Sequence, residues 1–188
     1  MKDDNRPSLK RLDILFLSFL GSGYLPWAPG TWGTLATLPF LYGLGRFNPP
    51  FFLFIPFLII LTIISSFIAE IVQKELKHHD PQWIVIDEFL GMSTAWLFIQ
   101  NHNLTHLLIL FIFFRFFDIV KIWPASYFDQ KVHHGAGTIL DDIVSGVYAG
   151  MLYLSISRFL YKYKSPLDLR KNYAQNILYA EFDFCLIK

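Results

Sequence analysis

The chain is short of charge and of cysteine. Charged residues make up 16% of its 188 positions, against about 25% in an ordinary soluble chain. The net charge is only +1, with the basic residues mainly at the two ends. No concentrated basic face exists to grip phosphates, so nucleic acid is excluded as a partner. The one cysteine, Cys185, excludes an internal disulfide framework and any CxxC metal site. Internal repeats and low-complexity tracts are lacking too, and no Pro/Gly/Ser linker divides the chain. Residues 1–160 therefore read as one domain and residues 161–188 as a polar tail.

Apolar residues take the place of charge. They account for 54% of the sequence, with 20 phenylalanines, more than a chain this small can hide from water. Phe51 to Ala69 runs without a charged residue, and about 18 such residues suffice for a membrane span. Three further candidates carry acids or bases within them: Trp83 to Ile99, Leu104 to Ile122, and Gly137 to Ser157. The expected fold is all-α, a polytopic membrane bundle of about four to five spans. The basic start (Lys2, Arg6, Lys10, Arg11) and the apolar stretch Ile14 to Leu20 imitate a secretory signal. Asp13 interrupts that pattern and no small-residue cleavage site follows, so the segment reads as retained.

Breaks in hydropathy order the rest. The Gly/Pro-rich segment GSGYLPWAPGTWGT (21–34) reads as non-helical, because Pro26 and Pro29 remove donors and restrict their neighbours. A hairpin of Thr34 to Arg46 and Phe51 to Val72 follows, turning at Asn48-Pro49-Pro50. Helices around 83–99 and 104–122 form a second hairpin, residues 123–136 a loop, and residues 137–160 the last helix. Two hairpins return every unusual polar motif to one end of the bundle. Intramembrane charges cost at least about 2.5–3.5 kcal/mol each on insertion scales, and usually line a functional cavity. The basic N-terminus places that end in the cytoplasm. Counting spans in this way puts the basic tail on the opposite side, so either one span is miscounted or a segment re-enters.

Each polar motif has a chemical reading and a bland one. Asp87-Glu88 lies among apolar residues, where paired carboxylates repel unless a cation joins them. Mg²⁺ suits such a site, since it takes carboxylate oxygens and keeps water or phosphate in its shell. The bland alternative is a helix end with solvated acids. Asp141-Asp142 is a second acidic pair, for which favourable placement at a helix N-terminus is the bland account. Two pairs converging on one face favour a metal site. Arg115, Asp118 and Lys121 recur at helical spacing, either as a self-neutralising ladder or as phosphate ligands beside a reactive aspartate. Gly30 and Thr31 precede a helix and offer backbone N–H groups to an anion, although a capped turn explains them as well. His78-His79-Asp80 and His133-His134 read as solvated loop residues.

Together these motifs resemble the phosphatidylglycerophosphatase A family. GSGYLPWAPGTWGTLATLPF (21–40), HDPQWIVIDEFLGM (79–92), FRFFDIVKIWP (114–124) and FDQKVHHGAGTILDDIVSGVYAG (128–150) carry the likeness, in the family's order. The resemblance implies a multi-pass enzyme of the bacterial inner membrane with its active site facing the cytoplasm. Such enzymes hydrolyse phosphatidylglycerophosphate to phosphatidylglycerol and inorganic phosphate with Mg²⁺, among membrane lipids. By motif, Thr31, Asp87, Glu88, Arg115, Asp118, Lys121, Asp141 and Asp142 carry over. Two positions depart: His134-Gly135 stands where Gly-Gly is expected, and Thr34 where Ser is more usual.

The expected roles follow. Asp87, Glu88, Asp141 and Asp142 would bind one or two Mg²⁺ ions. Asp118, Asp142, Arg115 and Lys121 would form the catalytic set, and Thr31, Gly30, Lys121 and Arg115 would bind the substrate phosphate. A transporter or channel relaying protons or cations through buried carboxylates is the alternative, but it predicts repeated halves that are absent here. A CDP-alcohol phosphotransferase needs a DGxxAR pattern, whereas Asp118 is followed by Ile119 and Asp142 by Ile143.

Overall fold

The computed structural model describes residues 6–47, 49–77, 81–99, 102–131 and 136–160. All regular structure among them is helical. Seven α-helices follow one another: α1 (Leu12–Leu17), α2 (Pro29–Phe47), α3 (Phe51–Leu76), α4 (Ile86–Trp96), α5 (Leu104–Val120), α6 (Ala125–Lys131) and α7 (Ala136–Leu160). A 3₁₀ turn, Ser22–Tyr24, stands between α1 and α2. The chain divides into two compact units, Met1–Tyr153 and Leu154–Lys188. The tail 161–188 and both histidine pairs lie outside the described residues.

Two helices, α3 and α7, are long and apolar enough to cross a membrane. Length alone does not separate a span from the core helix of a soluble protein, but burial does. Only 22% of the most apolar stretch of α3 is buried. Phe52, Leu53, Ile59, Ile60, Ile63 and Phe67 all point outward. A row of large apolar side chains of this length is far beyond the exposed patches that soluble monomers tolerate, and it suits a helix solvated by lipid. On α5, Leu104, Ile112 and Ile119 are likewise exposed, whereas Leu107, Leu110 and Phe114 are fully buried. That helix is therefore two-sided, with one face toward the bundle.

The short α4 is the reverse. Ile86, Leu90, Met92, Ser93, Ala95 and Trp96 are all buried, and at about 1.5 Å per residue its helical part is only about 16 Å long. It is the helix that the others surround. Its entry is pinned from two sides. Val85 donates its backbone N–H to the carbonyl of Leu17 at 2.9 Å. Gly23 and Gly33 lie so close to Trp83 and Val85 that an added Cβ would meet the Trp83 carbonyl oxygen at 2.1 Å and Val85 Cβ at 2.6 Å.

Three boundaries differ from those read in the sequence. The helix expected from Thr34 begins at Pro29, because proline at the first helical position costs no hydrogen bond and its fixed φ already suits the helix. The PGTWGT segment is thus the first turns of α2 rather than a stretch preceding it. The presumed loop 123–136 holds α6. The Trp83–Ile99 segment is helical only from Ile86 to Trp96.

Candidate functional site

The acids of α4 and α7 meet because the two helices touch at glycine. A Cβ on Gly146 would stand 2.1 Å from the Gly91 carbonyl oxygen, and one on Gly91 would stand 2.6 Å from the Asp142 carbonyl oxygen. Backbone contact of this kind is open only to glycine and other very small residues. Asp87 lies four residues before Gly91 and Asp142 four before Gly146, each one turn along the same helical face. The crossing therefore carries the two carboxylates toward each other. Glu88 joins them. Ligand oxygens of Asp87, Glu88 and Asp142 all lie within 4.8 Å of one another.

Asp87 opens α4, where its Oδ1 accepts the backbone N–H of Glu88 at 3.0 Å. An acid in the first turn satisfies an orphan amide and faces the positive end of the helix. Asp142 has no such account, since it lies beyond the first described turn of α7, Ala136–Leu160. The bland reading of the second acidic pair is therefore weaker than the sequence suggested. Both Asp141 and Asp142 are buried.

From α5, Arg115 and Asp118 enter from the side. The Arg115 Nη1 donates to Asp118 Oδ2 in a short ion pair that is largely buried. Asp118, Asp142, Glu88 and Arg115 are near enough to one another to interact electrostatically. Past the end of α5, Lys121 adopts the left-handed conformation at φ 45°. Its Nζ donates to Asp141 Oδ2 at 2.7 Å. Asp141 thus faces Lys121 and is not one of the three clustered acids. Neighbours on a helix diverge by about 100°, so Asp141 and Asp142 serve different partners.

Gly30 closes the remaining side. A Cβ there would meet Glu88 Oε1 at 2.1 Å and Arg115 Nη1 at 3.3 Å, so the first turn of α2 lies directly on the acidic cluster. Thr31, the next residue, is half-buried. Sequence reasoning named every one of these polar residues except the two glycines of the α4–α7 crossing. The spacing of Gly91 from Asp87 and of Gly146 from Asp142 is the signal that would have found them.

Five carboxylates (Asp87, Glu88, Asp118, Asp141, Asp142) share this region with two cations (Arg115, Lys121). Such an excess of like charge in buried surroundings calls for a further cation. Glu88 Oε2 is buried and has no hydrogen-bond partner, and so is Arg115 Nε. An acceptor left bare beside two other carboxylates fits a hard cation bound through oxygen, such as Mg²⁺. A bare guanidinium N–H beside it fits an anion.

Outward-facing apolar helices around a buried acidic centre with an arginine fit a class, the helical membrane proteins that handle a charged group. The chain belongs to the phosphatidylglycerophosphatase A family, whose model matches residues 15–157. It is 38% identical over 134 residues to phosphatidylglycerophosphatase A of Escherichia coli, covering 71% of this chain and 77% of that one. To the protein of the same name from Haemophilus influenzae it is 32% identical over 153 residues, covering 81% and 92%. A Bacteroides thetaiotaomicron protein named provisionally as a phosphatidylinositol-3-phosphatase is 29% identical over 160 residues, covering 82% and 98%. No solved structure matches. The chain is accordingly an enzyme, a phosphatase acting on a phosphate monoester, and the transporter reading is set aside.

Proposed function

We propose that this chain removes the terminal phosphate of phosphatidylglycerophosphate in a Mg²⁺-dependent hydrolysis at the cytoplasmic face of the bacterial inner membrane. The observation that carries the proposal is the meeting of Asp87, Glu88 and Asp142 within 4.8 Å beside a buried arginine. These three acids hold the ion, with Asp141 and its partner Lys121 behind them. A Mg²⁺ ion held by Asp87, Glu88 and Asp142 would supply Lewis-acid polarisation of a phosphoryl oxygen and a more acidic water. The Arg115 Nε is available to a phosphate oxygen, and Arg115 and Lys121 together offset the charge that spreads over the phosphoryl group during transfer. Asp118, oriented by Arg115 and adjacent to Asp142, accepts the proton of the attacking water. Gly30 and Thr31 present the first backbone N–H groups of α2 to the same phosphate, at the positive end of a 19-residue helix.

Four long helices and the short α4, which reaches only part of the way across the bilayer, suit this arrangement. α2 leaves the site, α3 returns, α4 leaves, α5 returns with Arg115 and Asp118, and α7 leaves again. The basic residues that precede α1 favour the cytoplasm for the site end. Acyl chains reach the phosphate sideways from the bilayer, between helices.

Phosphate release from phosphatidylglycerophosphate in detergent micelles, with Mg²⁺ or with EDTA, tests the proposal. Release that needs the ion and is lost in Asp142→Asn is the expected result. The Bacteroides relative's name motivates a second arm with phosphatidylinositol 3-phosphate. Faster turnover of that lipid would move the assignment to an inositol head group. Release from neither lipid, by folded protein, would contradict the substrate reading.

A further inference from the structure

The backbone contact between α4 and α7 does more than pack two helices. We infer that Gly91 and Gly146 set the width of the metal site and thereby its preference for a small divalent cation. The inference rests on the metal reading proposed above and adds to it two positioning residues that carry no ligand atom.

The geometry leads there directly. Gly146 sits against the Gly91 carbonyl, with only 2.1 Å available to a Cβ, and Gly91 sits against the Asp142 carbonyl with 2.6 Å. In both cases the obstacle is backbone, which cannot rotate away. A methyl group at either position forces the helices apart. One turn away on each helix stand Asp87 and Asp142, which come from opposite sides of the cluster. Widening the crossing therefore widens the gap between these two ligands, while Glu88, adjacent to Asp87 on α4, moves with its own helix.

Cation chemistry turns width into selectivity. Mg²⁺ demands near-octahedral oxygens at about 2.0–2.1 Å, whereas Ca²⁺ accepts about 2.3–2.6 Å and irregular geometry. A widened site loses the smaller ion first. Gly43 on α2 provides an internal control away from the crossing. A Cβ there would meet nothing within 4 Å.

The test is binding of Mg²⁺ and Ca²⁺ to purified protein, by calorimetry and by the shift each ion causes in melting temperature. Wild type, Gly146→Ala and Gly43→Ala are compared, with Gly91→Ala replacing Gly146→Ala if the latter does not fold. The expected result for Gly146→Ala is a loss of Mg²⁺ affinity of about tenfold or more, the scale of an orienting-residue effect, with Ca²⁺ affinity nearly kept. Gly43→Ala should leave the ratio of the two affinities unchanged. Equal loss of both ions, or an unchanged ratio in both crossing variants, overturns the inference and leaves the metal reading intact. Wild-type protein that binds neither ion overturns both.

Discussion

The two ends of α4 solve the problem of buried polarity in opposite ways. At its start, Asp87 and Glu88 meet Asp142 and Asp118, so that charges of one sign crowd together. At its far end, Trp96 stacks on the His102 ring at 4.5 Å, and nearby His106 shares a 2.7 Å hydrogen bond with Tyr153. That end is neutral and aromatic, with Trp96 Nε1 and His102 Nδ1 buried without a hydrogen-bond partner. Burial pushes the His102 imidazole below its ordinary pKa, which keeps it uncharged near neutrality. Neutral rings need no counter-charge and serve packing. Like-signed carboxylates in the same bundle repel unless a bound cation or a proton relieves them, so the two ends place different demands on their surroundings.

Breaking the acidic end should have the largest consequences. Asp142→Asn is expected to lower phosphate release by about a hundredfold to a thousandfold, comparable to removal of a preorganised electrostatic group. The variant should melt no lower than wild type, since it relieves repulsion. Arg115→Lys comes next, with a loss of about a hundredfold in kcat/KM, because an ammonium cannot hold Asp118 and a phosphate with one planar fork. Kinetics on the lipid substrate check both.

The scaffold end sharpens the comparison through pH. The unfolded chain protonates a histidine more readily than the folded chain protonates His102, so stability should fall as pH drops through the ordinary imidazole range and below it. Thermal melts at several pH values should show this slope, flattened in His102→Asn, with phosphate release at neutral pH barely changed in that variant. The smallest effect is expected at Arg11. It bridges Asp13 and Glu75 at 2.8 and 2.5 Å on an exposed surface. Its hydrogen bond holds Asp13 below the usual carboxylate range. That contribution is present at neutral pH, disappears as Asp13 protonates in acid, and is screened by salt. Arg11→Ala should therefore shift the melting temperature only slightly, and not at all in high salt.

Chemistry was more legible in the sequence than spacing was. Acids and bases inside apolar segments are conspicuous because lipid penalises them, so Asp87, Glu88, Arg115, Asp118, Asp141 and Asp142 identified themselves. Pairings across helices left no such trace. Lys121 read as a phosphate ligand, and its ion pair with Asp141 across helices was not legible beforehand. Pro29 read as a break because proline interrupts helix interiors, and only the start of α2 shows that it occupies the first helical position. The seven residues of α6 carry too little periodicity to be read in advance. Gly91 and Gly146 offered only their four-residue spacing from Asp87 and Asp142, because a close approach of two backbones is a property of the pair.

The central claim is that Asp87, Glu88 and Asp142 together hold a divalent cation. Binding of Mn²⁺, a spectroscopic stand-in for Mg²⁺, followed by electron paramagnetic resonance in wild type and Asp142→Asn, addresses it most directly. Saturable binding that Mg²⁺ displaces and that Asp142→Asn loses is the predicted result. Binding unchanged in the variant would contradict the account, and so would no binding to folded wild-type protein.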